Sequence, residues 1–123
     1  MFEVRVEAEF AAAHFLKEYH GKCENLHGHN YAVFAHARGM GLDEGGMLSQ
    51  LKQALRQVCK AFDHTNLNDF PEFAQNPSAE RIAYEIFKRL YNELQKISHS
   101  YAESLFAVDV YETPTSRARY IKD

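Results

Sequence analysis

From Phe2 to Phe10 apolar and charged residues alternate, with Phe2, Val4, Val6, Ala8 and Phe10 separated by Glu3, Arg5, Glu7 and Glu9. A period of two predicts a half-buried strand, here running to about His14. A second strand is predicted from His29 through Asn30-Tyr31-Ala32-Val33-Phe34-Ala35-His36-Ala37 to Arg38, and Gly39, Gly41, Gly45 and Gly46 mark the turn region after it. The period then changes. Met47, Leu48, Leu51, Leu55, Val58, Cys59 and Phe62 recur at helical spacing and predict an amphipathic helix over about 47–62. Asp63-His64-Thr65-Asn66-Leu67-Asn68-Asp69-Phe70-Pro71 breaks it with loop chemistry. A second helix opens at Asn76-Pro77-Ser78-Ala79-Glu80, where Asn76 can cap and proline suits the first turn. Its buried stripe is Ile82, Ala83, Ile86, Phe87, Leu90, Tyr91 and Leu94. Two strands close the chain near 104–112 and 116–122, split by Thr113-Pro114-Thr115.

The order β-β-α-α-β-β predicts an α+β fold, a four-stranded antiparallel sheet with two helices on one face. At 123 residues, with no repeat, linker or low-complexity tract, the chain reads as one domain over 1–123. Such a sheet leaves two free edges and an uncovered face, a liability that predicts self-association through edge strands. A net charge of −3 argues against a nucleic-acid or membrane-surface binder. No apolar run is long enough for a transmembrane helix, and Met1–Glu7 carries no signal-peptide core. Two cysteines make no disulfide framework. The expectation is a soluble cytoplasmic domain.

The chemistry concentrates in Cys23-Glu24-Asn25-Leu26-His27-Gly28-His29. On an extended strand residues i and i+2 share a side, about 7 Å apart along the backbone, so His27 and His29 can close on one ion. His14, at the end of Phe10-Ala11-Ala12-Ala13-His14, offers a third imidazole. Three neutral imidazoles with one open position is the catalytic zinc arrangement, although iron and nickel accept the same ligands. Cys23, beside Lys22, then reads as a reactive thiol more than as a fourth ligand, since a nearby metal, lysine or protonated histidine favours the thiolate. Cys59, on the apolar stripe, reads as a buried core thiol. Asp63-His64 offers a carboxylate that fixes an imidazole tautomer for acid/base work, or simply a polar helix end. Glu112 at a strand end can accept two parallel N–H bonds from a guanidine-like edge, or stand as a solvated terminus. His20, His36 and His99 lack such neighbours and read as surface or structural.

In order along nearly the whole chain, these residues resemble the 6-pyruvoyl-tetrahydropterin and 6-carboxy-tetrahydropterin synthase family. The likeness is carried by Phe10-Ala11-Ala12-Ala13-His14, His27-Gly28-His29-Asn30-Tyr31, Asp63-His64 with Leu67-Asn68, Asn76-Pro77-Ser78-Ala79-Glu80, and the run from Glu112-Thr113-Pro114 to Tyr120. The resemblance implies the tunnelling fold, a homo-oligomer built as a trimer or dimer of trimers, and active sites between subunits. It implies zinc on His14, His27 and His29, Cys23 as catalytic thiol, Asp63 and His64 as its proton partners, and Glu112 as anchor of the pterin ring. Three residues between Cys23 and His27-Gly28-His29 resemble the bacterial 6-carboxytetrahydropterin branch. The implied substrate is 7,8-dihydroneopterin triphosphate; the products are 6-carboxytetrahydropterin, acetaldehyde and triphosphate, on the route to queuosine and related deazapurines. Two departures stand out. Gly46-Met47-Leu48-Ser49 lacks the family's Asp-Phe pair at the helix start, with Ser49 a candidate replacement cap. Glu24 follows Cys23, and some family members use a glutamate near this position to make 6-hydroxymethyl-dihydropterin for folate synthesis. That dual or folate role, 6-pyruvoyl-tetrahydropterin synthesis, a non-catalytic pterin-binding module and a zinc hydrolase are the alternatives.

Overall fold

The computed structural model describes residues 1–16, 25–44, 46–73 and 76–123. Strands β1 (Phe2–His14) and β2 (His27–Gly39) form a long antiparallel pair, in register from Phe2 opposite Gly39 to His14 opposite His27. Helix α1 (Met47–Phe62) follows, then a two-residue strand β3 (Thr65–Asn66) and helix α2 (Ala79–Ile97). A short helix α3 (His99–Ser104) leads into β4 (Leu105–Thr113), which turns back as β5 (Ser116–Ile121). The sheet order is β3-β1-β2-β4-β5.

The α+β architecture and its ββααββ order are as the periodicity predicts. Three details differ. The sheet has five strands, because Thr65 and Asn66 pair parallel with Ala12 and Ala13. An extra helical turn and a half, α3, precedes β4, capped by Ser98. Ser78, not Asn76, caps α2, its hydroxyl accepting from the Arg81 N–H, so Pro77 lies outside the helix. Helix α1 starts at Met47 behind Gly46 at φ 88°, with no side-chain cap, which places Ser49 inside the first turn and not at its cap.

The alternation in β1 and β2 decides which face is buried. Val6, Phe10, Tyr31, Val33 and Ala35 pack against Leu51, Leu55 and Phe62 of α1 and Ile82, Ile86, Leu90 and Leu94 of α2, in one continuous core. Phe10 stacks on Tyr31 at a centroid distance of 4.8 Å. The opposite face carries Arg5, Glu7, Glu9, His36, Asp109 and Arg119. Asp109 is buried even there: Arg119 donates to it from Nε (2.6 Å) and Nη2 (3.0 Å), and His36 Nε2 lies 2.8 Å away. His36 therefore has a partner that its sequence neighbours do not reveal. Burial pushes the Asp109 carboxyl up, but the bonds and charge of Arg119 and His36 outweigh it and hold the group below the ordinary range. No helix among the described residues is long and apolar enough to cross a membrane.

Candidate metal centre and active site

The register of β1 and β2 builds the site. His14 and His27 are cross-strand partners at the end of the pair, and His29 lies two residues further along β2 on the same face. Their rings meet edge to face, with centroids 4.6–5.2 Å apart. Glu112 reaches them from β4, where Tyr111 pairs with Ala32 and so sets the next residue toward the His29 end of β2. One ligand atom from each of His14, His27, His29 and Glu112 lies within 4.8 Å of the other three.

The outer partners of the rings fix their tautomers. Pro77 C=O lies 2.8 Å from His14 Nδ1, and Asn25 C=O lies 2.6 Å from His27 Nδ1. A carbonyl only accepts, so both Nδ1 atoms carry protons, and Nε2 is the nitrogen each ring turns inward as its possible ligand atom. Those two Nε2 atoms are 3.1 Å apart. His29 Nε2 is buried and has no hydrogen-bond partner among the described residues. Burial lowers the pKa of His29, Glu112 opposes this, and His14 and His27 reinforce it; the net direction is downward, toward the neutral ligand form. Three imidazoles and a carboxylate gathered within 4.8 Å of one another form a donor set that could hold a cation. The donor set thus fits a divalent metal.

The segment after α1 secures this end of β1 residue by residue. Asp63 Oδ1 accepts the Ala11 N–H (2.8 Å), and the His64 N–H donates to Ala11 C=O (2.6 Å). Strand β3 pairs with Ala12 and Ala13. Asn68 then takes Phe15 from both sides, Oδ1 accepting its N–H at 2.8 Å and Nδ2 donating to its C=O at 3.0 Å. His14, the residue between these ties, is fully buried. Asn68 and the Pro77 and Asn25 carbonyls were not legible as site groups: backbone carbonyls leave no sequence signal, and Leu67-Asn68 marks a landmark without marking a role.

Asp63 and His64 form the expected pair, with Asp63 Oδ2 3.0 Å from His64 Nδ1. The His64 side chain is 80% exposed, and its backbone sits at φ 59°, in the left-handed region that few non-glycine residues adopt. Cys59 is buried as expected, its thiol pushed up to about 12 by burial and by the charge of Asp63, which leaves it unreactive. Cys23, Glu24, Lys22 and His20 lie outside the described residues.

The sequence model of 6-pyruvoyl tetrahydropterin synthase matches residues 3–123. The chain belongs to that family. A 6-carboxy-5,6,7,8-tetrahydropterin synthase of Bacillus subtilis is 33% identical to it over 125 residues, covering 97% of this chain and 84% of the relative. The solved 6-pyruvoyl tetrahydropterin synthase of Caenorhabditis elegans superposes with a TM-score of 0.82 at 30% identity, covering 99% of this chain and 96% of its own. A Plasmodium vivax 6-pyruvoyltetrahydropterin synthase, in a form with a catalytic glutamate changed to alanine, superposes at 0.72 with 25% identity, covering 99% and 98%.

Proposed function

We propose that this chain is a zinc-dependent carbon–carbon lyase that converts 7,8-dihydroneopterin triphosphate to 6-carboxy-5,6,7,8-tetrahydropterin, acetaldehyde and triphosphate, in queuosine and deazapurine synthesis. Tetrahydropterin-synthase chemistry follows from the family; the convergence of His14, His27 and His29 on one point carries the metal-dependent part of the reading. The bacterial relative named for 6-carboxytetrahydropterin synthesis supports the branch. Zinc, when bound, supplies Lewis-acid polarisation of the substrate's side-chain hydroxyls.

The chain's own residues then divide the work. Cys23 moves a proton at the side-chain carbon next to the ring. His64, held by Asp63 through Nδ1, keeps Nε2 for a neighbouring or departing oxygen. Glu112 accepts the pterin's paired N–H groups. The exposure of His64 suits a pocket completed by a neighbouring copy, in a trimer or dimer of trimers. The reaction belongs in the cytoplasm.

A second reading is favoured by the adjacency of Cys23 and Glu24 and by the catalytic glutamate of the Plasmodium vivax protein. In it, Glu24 directs cleavage to 6-hydroxymethyl-dihydropterin. Mass spectrometry of the products of zinc-loaded protein, beside Cys23→Ala and Glu24→Ala, separates the two. Release of 6-carboxytetrahydropterin and acetaldehyde that is lost with Cys23 supports the first reading. A 6-hydroxymethyl product that depends on Glu24 replaces it with the second, and absence of turnover overturns both in favour of a binding module.

A further inference from the structure

No step of the chemistry uses Tyr31, although it is fully buried beside the histidines. Its ring stacks on Phe10 and meets the edges of His14 and His29, with centroids 5.8 and 5.6 Å away. That packing needs an aromatic ring and no oxygen, so phenylalanine would fill it. The hydroxyl is nevertheless there, buried and without a hydrogen-bond partner among the described residues. An O–H buried without an acceptor costs stability, and such a group in a native fold needs an explanation.

The strand register names its acceptor. β2 and β4 are antiparallel, with Val33 opposite Val110 and Ala32 opposite Tyr111. The next step along both strands sets Tyr31 beside Glu112, on the same face of the sheet. The charge of Glu112 reaches the hydroxyl: burial first, and that charge second, push its pKa upward. Two other buried atoms lack a partner among the described residues, His29 Nε2 and Asn76 Oδ1. The first belongs to the metal donor set, and the second lies on the segment before α2. Glu112 in turn needs a donor. Its Oε1 borders His14 Nε2 and His29 Nε2 at 3.0 and 3.1 Å, and nitrogens engaged by a metal have no hydrogen left to give it.

We propose that Tyr31 is a positioning residue: when the three imidazoles hold their metal, its hydroxyl donates to the Glu112 carboxylate, directly or across one water, and keeps that carboxylate facing the pterin ring. The pterin half rests on the pterin reading above; the hydrogen bond does not. A carboxylate that accepts two parallel N–H bonds must be fixed in its plane. Glu112 is 26% exposed and stands near the end of β4, just before the turn into β5, where a flexible side chain needs a second hold. Tyr31, packed between Phe10 and the histidine rings, supplies it from the long β1–β2 pair.

Tyr31→Phe removes the oxygen and keeps the ring. In the zinc-loaded protein it is expected to weaken the binding of bare pterin, read from pterin fluorescence, by about tenfold, the scale of one lost hydrogen bond to a charged group. Zinc affinity, read by chelator competition, is expected to stay at the wild-type value, because the ring that packs on His14 and His29 remains. Unchanged pterin affinity overturns the positioning role. Equal losses of pterin and zinc binding also overturn it, since Tyr31 would then act through the histidines. Absence of pterin binding by the wild type itself overturns the pterin reading and the positioning half together. The hydrogen bond is then decided by a crystal structure of the zinc-loaded wild type, as it is should Tyr31→Phe fail to fold. Tyr31 Oη about 3 Å or less from a Glu112 oxygen, or from one water shared with it, supports the bond; Tyr31 bonded to Asn76, or left without a partner, overturns it.

Discussion

His64 occupies a backbone conformation that stability alone would not select. A left-handed φ costs an ordinary L-residue about 1–2 kcal/mol, yet here it carries an exposed imidazole held by Asp63. Strain kept at such a residue points to use. His64→Gly, which relaxes the backbone but removes the ring, is expected to hold folding stability within about 1 kcal/mol of the wild type while turnover drops by at least about 100-fold. Denaturant melts beside steady-state rates check this; retained turnover would make the residue structural. Asn68 makes the complementary case. It fixes Phe15, the neighbour of His14, through both ends of its side-chain amide. Asn68→Ala is expected to weaken metal binding by about 10-fold or more with α-helical content unchanged, as titration calorimetry and circular dichroism would show. At this scale the sequence was informative where chemistry and spacing coincide. His14, His27 and His29 were legible because a period of two puts side chains on one face. The approach of Glu112 was not, because it depends on how β4 lies against β2.

Secondary-structure elements follow the hydrophobic pattern closely where it is long. The stripe Leu51, Leu55, Val58 and Phe62 predicted α1 at its observed bounds, and the alternation in Phe2–His14 predicted β1. The pattern fails where a segment is short and polar. Strand β3 has two residues and exists to pair the edge of β1, so it leaves no periodicity. The same holds for the uncovered sheet face, where Asp109, in a strand that reads as apolar, gathers Arg119 from β5 and His36 from β2. Asp109→Ala leaves the Arg119 guanidinium with no carboxylate on its Nε and Nη2 bonds, and is expected to cost roughly 2–3 kcal/mol, less than a fully buried pair because Arg119 is partly exposed. The sign with pH follows from the lowered pKa of Asp109. Its stabilisation is fully present above the unfolded carboxylate value of about 4 and is lost as the pH falls through the lower folded value. Unfolding free energies of the wild type and variant should therefore converge in acid and separate above that window.

For the whole molecule, a sheet with helices on one face presents its other face and its outer strands to something. Phe2, Met40 and Ile121 are exposed there and at the strand ends, while Arg5 and Arg38 lie over Phe34 and Phe106 at 5.0 and 3.7 Å. Light scattering on the purified protein is expected to give the mass of three or six chains, and a stable monomer with full activity would remove the shared-pocket role proposed for His64. The central claim is the metal. Elemental analysis of purified protein, paired with its turnover before and after chelation, tests it most directly. One zinc ion per chain is expected, lost together with activity on chelation and absent from His27→Ala and His29→Ala. A metal-free protein that is fully active and gains nothing from added zinc would contradict it.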